Sequence, residues 1–211
     1  VTALDTRYLK RARQAAVADA AGTIIAWDDF EGGTTLVGRT APSGQAWTQV
    51  SGGALANGRL ESTGVKAGFM SLGAPLNGSV SMTVTMRLIS TGDVRLAFRS
   101  TDNNNGLIVR INSSALKIEK NVAGTQTTLA SVALSAAQFR GQGAYRLNAH
   151  ISNSLIFADL MSLSGASIAS TSYTLTGADA TTYATGNVVG FLAFDDTSPT
   201  WVDDFLVRSY A

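Results

Sequence analysis

The chain carries one acidic tripeptide twice: Asp28-Asp29-Phe30 after Trp27, and Asp203-Asp204-Phe205 after Trp201-Val202. Paired carboxylates support two kinds of chemistry. Held across a sugar, they act as acid and base or nucleophile. Gathered with carbonyls, they bind calcium, which takes about six to eight oxygen ligands. Neighbouring strand residues point to opposite faces, so neither pair alone can flank a glycosidic bond. If the two segments are paired strands of one sheet, Asp28 or Asp29 faces Asp203 or Asp204. Carboxylates brought that close repel unless a cation or donor intervenes. Asp28, Asp29, Asp203 and Asp204 are therefore candidate ligands of a structural calcium, or strand-end residues bonded to backbone amides. Asp102-Asn103-Asn104-Asn105 and Asp195-Asp196-Thr197 are further oxygen-rich loops, each readable as an ordinary turn.

No catalytic residue stands out. The single histidine, His150, lies in an alternating strand-like segment and reads as structural or exposed. No Gly-x-Ser-x-Gly elbow or triad is visible. A sugar-binding site, by contrast, needs an exposed aromatic ring with Asn, Asp or Gln nearby. Trp201 follows Pro199 at a loop-to-strand junction beside Asp195 and Asp196, and these three form the candidate carbohydrate-binding set. Trp47, Tyr173 and Tyr183 are other candidates. The competing reading makes Trp27, Trp47 and Trp201 core residues, as large aromatics mostly are.

The composition narrows the partners. The 211 residues are 45% hydrophobic, enough to bury a core, and only 15% charged, against about 25% in ordinary soluble domains. A net charge of +1 offers no field for nucleic acid or anionic membrane. The absence of cysteine removes disulfides, thiolate metal sites and cysteine nucleophiles. Stability outside a cell would then come from packing, oligomerisation or a metal. No apolar run approaches the roughly 20 residues that span a bilayer. The first residues are charged and amphipathic, without the apolar region of a signal peptide.

The elements that must position these groups follow from periodicity. Residues 1–22 read as a helix: Thr2-Ala3-Leu4-Asp5 resembles a capping box, and Gly22 suits a stop. Leu4, Tyr8, Leu9 and Ala12 fall at helical spacing and form a candidate oligomerisation stripe, although the helix could equally lie on its own domain. From residue 23 to 211 the pattern is short strands. Ser79–Ile89 alternates polar and apolar residues almost without error, the strongest strand signal in the chain. Strands are also expected at 23–27, 59–62, 68–72, 94–100, 107–112, 116–122, 127–134, 145–152, 154–162, 167–174, 188–194 and 201–209. Asn153 is the expected hairpin turn, and residues 135–139 the one helical turn inside. This spacing predicts an all-β antiparallel sandwich in one domain.

Four groups of residues carry a family resemblance. They are Asp29-Phe30 with Leu36-Val37-Gly38-Arg39 and Ser43-Gly44-Gln45-Ala46-Trp47; Asn57-Gly58-Arg59-Leu60; Tyr145-Arg146-Leu147-Asn148-Ala149; and Gly190-Phe191-Leu192-Ala193-Phe194 with Val202 to Val207. Their order resembles the concanavalin A-like (LamG-like) jelly roll over about 29–208. The Ser-Gly-Gln-Ala-Trp segment is similar to the version appended to phage minor tail proteins and tail fibres. Leu4-Asp5-Thr6-Arg7-Tyr8-Leu9-Lys10 is similar to the joints of trimeric fibres. The resemblance implies a noncatalytic virion surface protein, a homotrimer that contacts other tail proteins and either binds a host-surface glycan or decorates the particle. The alternative is a carbohydrate-binding module of a secreted bacterial glycosidase. Related glucanases place their acids as Glu-x-Asp-x-x-Glu on one strand; Glu31, Glu61 and Glu119, the three glutamates here, do not form that motif. Related jelly rolls often hold a structural calcium, and no other cofactor is implied.

Overall fold

The computed structural model describes residues 22–52, 54–62, 66–74, 76, 78–87, 92–135, 143–194 and 200–210. The helix expected over 1–22, with Leu4, Tyr8, Leu9 and Ala12, lies outside them. So do Asp195 and Asp196, and most of the expected turn at 135–139. The strands run β1 (Thr23–Asp28), β2 (Thr48–Ser51), β3 (Ala54–Ala56), β4 (Arg59–Ser62), β5 (Lys66–Ser71), β6 (Ser79–Arg87), β7 (Asp93–Asp102) and β8 (Asn105–Asn112). They continue as β9 (Ala115–Val122), β10 (Thr125–Ala133), β11 (Tyr145–Ser152), β12 (Leu155–Ser162) and β13 (Ser167–Thr174). A short helix, α1 (Gly177–Thr182), precedes β14 (Val188–Phe194) and β15 (Thr200–Tyr210).

These strands form two sheets with antiparallel ladders. The first has the order β13-β12-β11-β6-β15-β4-β3, with β1 also on β15; the second has the order β10-β9-β8-β7-β14-β5-β2. Alternation explains the sandwich. Val80, Met82, Val84 and Met86 of β6 are all buried, and so are Leu107, Val109 and Ile111 of β8. The inner faces of both sheets merge into one core. Burying such side chains is worth about 1.5–3 kcal/mol each.

The first and last strands pair, as the two acidic tripeptides suggest. Asp28 lies opposite Phe205 and Thr23 opposite Ser209. One irregularity interrupts β15. Asp203 pairs with Thr85 but Leu206 with Thr83, so the strand holds an extra residue there. Asp204 takes the left-handed conformation at φ 51°, which Asp tolerates better than most residues. The bulge resets the alternation, and Val202 and Phe205 both reach the core.

The centre of the seam is a buried carboxylate. Asp28 is fully buried. Its Oδ1 accepts from the Phe30 amide at 2.7 Å and from Arg39 Nη2 at 2.8 Å. Its Oδ2 accepts from Arg39 Nε at 2.9 Å and from the Trp47 indole Nε1 at 2.7 Å. Beside it, the rings of Phe30, Trp47, Phe191 and Phe205 pack with centroids 5.3–6.1 Å apart. Each such pair adds about 0.5–1.5 kcal/mol beyond its burial. Gly68 permits this: a Cβ there would lie 2.8 Å from Trp47 Cε3.

The segment resembling phage tail domains has a physical task here. The Ser43 hydroxyl bonds both the amide and the carbonyl of Trp27. Gln45 Nε2 donates to the Ile25 carbonyl at 2.9 Å, and Trp47 reaches Asp28. Three alternate residues thus stitch a loop along β1.

Removing one partner of a buried ion pair strands the other charge, at a cost of about 3–5 kcal/mol. Asp28→Asn is expected to lower unfolding free energy by that amount in urea titration. Trp47→Phe, which loses one hydrogen bond to a charged group, should cost about 1.5–3 kcal/mol. A wild-type midpoint for Asp28→Asn would contradict the assignment.

Candidate functional site

The acidic seam separates into distinct jobs. Asp28 is committed to four protein donors, so it does not fit a calcium site: a cation would have to displace Arg39. The Asp29 carboxylate accepts the Glu31 amide at 3.2 Å. Asp203 is buried, accepts the Asp204 amide at 2.9 Å and lies 3.9 Å from Arg59 Nε. Among the described residues, no three His, Asp or Glu side chains converge as a metal site.

Trp201, expected at an exposed junction, is only 8% exposed. The Arg59 guanidinium lies over its ring, 4.3 Å from the centroid. A cation already occupies that stacking face, which corrects the reading of Trp201 as an open sugar platform. Trp47 and Tyr183 are also buried. The Asp102–Asn105 loop is the turn that the sequence predicts. Asp102 accepts from the Asn104 amide at 2.7 Å and from Asn105 Nδ2 at 3.0 and 3.1 Å. Those bonds, led by the Asn105 side chain, hold its carboxyl below the usual carboxylate range.

A polar site does exist, on the outer face of the second sheet. Outward positions of β7, β8 and β9 carry an ion network. Asp93 bonds Arg95 at 2.9 Å and Arg110 at 2.6 Å; Arg110 also lies 3.6 Å from Glu119. Thr128 Oγ1 donates to Glu119 at 3.3 Å. Such a network fixes the side chains of a face. Next to it, a small depression of about 20 Å³, room for a single hydroxyl group or water, is lined by Asp102, Asn103, Asn105, Asn121 and Gln126, with Ala97, Ile108 and Leu192 as apolar walls. Gly106, which also lines it, has no room for a Cβ, which would strike Ser100.

Asn121 is 5% exposed, and its Nδ2 donates to the Asn103 carbonyl at 3.3 Å. Its Oδ1 is buried without a protein partner among the described residues. A buried acceptor without a donor is costly, and here it borders an amide-rich depression. Amides, a carboxylate and small apolar patches together suit hydroxyl-bearing ligands. Sequence reasoning did not single out Asn121 or Gln126. The signal was their register: Gln126 pairs with Asn121, and Asn121 with Gly106.

His150 faces outward on β11 against Tyr210, with ring centroids 5.7 Å apart. No helix among the described residues is long and apolar enough to cross a membrane.

Comparison with known proteins places the fold. No protein-family model matches the sequence, and no curated protein does. Solved structures do match. The CBM2 module of the evolved Dit of Lactobacillus casei BL23 phage J-1 superposes with a TM-score of 0.62 at 12% identity, over 90% of this chain and 97% of that one. The carbohydrate-binding module CBM66 from Bacillus subtilis gives 0.54 at 13%, over 89% and 98%. A lectin from Bauhinia forficata, in complex with GalNAc, gives 0.60 at 10%, over 90% and 99%. At such identities the likeness is one of fold. The chain has the lectin-like jelly-roll β-sandwich.

Burial lowers the His150 pKa. Below its ordinary value of about 6.5 the unfolded chain takes the proton first, so stability falls as pH drops through the lower folded value. His150→Gln removes this component. Between about pH 7.5 and about pH 5 the wild type should lose more melting temperature than the variant. Equal losses would contradict the assignment.

Proposed function

We propose that this chain is a noncatalytic carbohydrate-binding module at the outer surface of a virion, in a phage tail fibre or tail tip. It attaches to a host-surface glycan through the depression on its second sheet. The observation that carries the reading is the buried, unpartnered Asn121 acceptor amid Asp102, Asn105 and Gln126. One sugar hydroxyl enters the depression, donates to that acceptor and accepts from the amides, while the ring lies over the outer face of the sheet. The noncatalytic reading is supported by Asp93, both of whose carboxylate oxygens are held by Arg95 and Arg110, and by Glu119, whose Oε1 is held by Arg110 and Thr128.

The virion setting is supported by the Ser43-Gly44-Gln45-Ala46-Trp47 segment and by fold similarity to the phage J-1 Dit module. Leu4, Tyr8, Leu9 and Ala12 would then join three copies through helix 1–22, beside other tail proteins. The likeness to the Bacillus subtilis CBM66 favours a second reading, a module of a secreted glycosidase. Mass in solution separates the two. Sedimentation should give a trimer that Tyr8→Asp with Leu9→Asp dissociates; a monomer that binds polysaccharide favours the secreted module.

Binding is tested on an array of neutral oligosaccharides. Asn121→Ala and Gln126→Ala should each weaken retention about tenfold, the loss of roughly one hydrogen bond or a little more. Unchanged retention in both folded variants, or no retention by the wild type, would overturn the proposal.

A further inference from the structure

A second concavity lies at one end of the sandwich, away from the outer-face depression. Its walls are Arg99 of β7, Asn153 and Ser154 in the β11–β12 turn, and Ala180 and Ala184 in and after α1. Its volume is about 380 Å³, towards the lower end of the range for small-molecule sites.

Arg99 gives this cleft its chemistry. It sits at a register irregularity of β7 with φ 46°, and is 4% exposed. Nη1 donates to the Asn153 carbonyl at 2.9 Å and Nη2 to the Gly78 carbonyl at 3.1 Å. Two of five N–H donors are thereby used, and Nε is buried without a partner. No carboxylate among the described residues forms an ion pair with it. The nearest acid on α1, Asp179, is held by Lys120 at 2.7 Å. Burial alone lowers the Arg99 pKa, with no neighbouring charge acting on it. A buried cation without a counter-charge is costly, and carbonyl dipoles compensate it only in part.

We propose that this cleft is a second saccharide subsite, selective for a sugar or polyol that bears an oxyanion. The oxyanion pairs with Arg99, whose planar guanidinium matches a carboxylate or a phosphate. Hydroxyls meet the Asn153 amide and the Ser154 hydroxyl, and C–H groups lie on the methyls of Ala180 and Ala184. The subsite stands on its own residues, so its failure leaves the neutral-glycan site untouched.

The test is calorimetric titration of the full chain with glucuronate, glycerol 3-phosphate and glucose. Ala184→Leu narrows the cleft at a lining residue that carries no polar group, and Asn153→Gly removes the amide while suiting the φ of 53° at that turn. At least one anion should bind the wild type, more weakly as salt rises, with glucose inert. Glucuronate alone assigns a uronic-type carboxylate; glycerol 3-phosphate alone assigns a polyol phosphate. Ala184→Leu should weaken binding at least tenfold and Asn153→Gly severalfold, both with wild-type melting. No anion binding at millimolar concentration, equal binding by Ala184→Leu, or glucose binding as strongly would overturn the proposal.

Discussion

A carboxylate removed from water must be surrounded by donors, and the fold is arranged around that requirement at Asp28. Its four donors come from three places: its own turn at Phe30, Arg39 and Trp47. Satisfying it therefore fixes where β1 ends and where the following loop returns. Because β1 lies on β15, the same contacts hold the two ends of the domain together. A neutral residue there would leave Arg39 charged and half-satisfied in the interior. A chain without cysteine thus closes its seam with a hydrogen-bonded ion pair.

The consequences reach the outer surface through packing. Trp47 touches Phe191 and Phe205, and so joins the last strand to β14. β14 pairs with β7, whose outward residues include Arg95 and Ala97. Arg95 enters the ion network and Ala97 walls the amide-rich depression. The site rests on ladders whose inner faces pack in the same core as the aromatic cluster. In the role proposed for this face, side chains already held by the ion network and the ladders cut the ordering cost of association.

Much of the fold was legible because alternation is a direct print of a two-faced sheet. The strand over Ser79–Arg87 and the turn at Asn153 read correctly for that reason. β2 and β3 did not read, being four and three residues long. α1, with the sequence Gly-Ala-Asp-Ala-Thr-Thr, carries no helical period and has no fully buried residue. Single-residue insertions such as the bulge at Asp204 are invisible to periodicity, yet they decide which residues reach the core. The acidic pairs read as a seam, but the donor to Asp28 stands 11 residues away and only the fold joins them. Trp201 looked available, and Arg59, a neighbour only across the β4–β15 ladder, covers it. The polar depression depends on cross-strand register between Gly106, Asn121 and Gln126, which no single segment displays.

The central claim is that the Trp47 indole and the Asp28 carboxylate form one buried bond that opens only when the domain unfolds. Native-state hydrogen exchange of the Trp47 indole N–H, followed by NMR on nitrogen-labelled protein, tests it directly. Exchange governed by the same free energy as global unfolding, and accelerated in Asp28→Asn, is the predicted result. Exchange at the rate of an exposed loop, with the domain still folded, would contradict it.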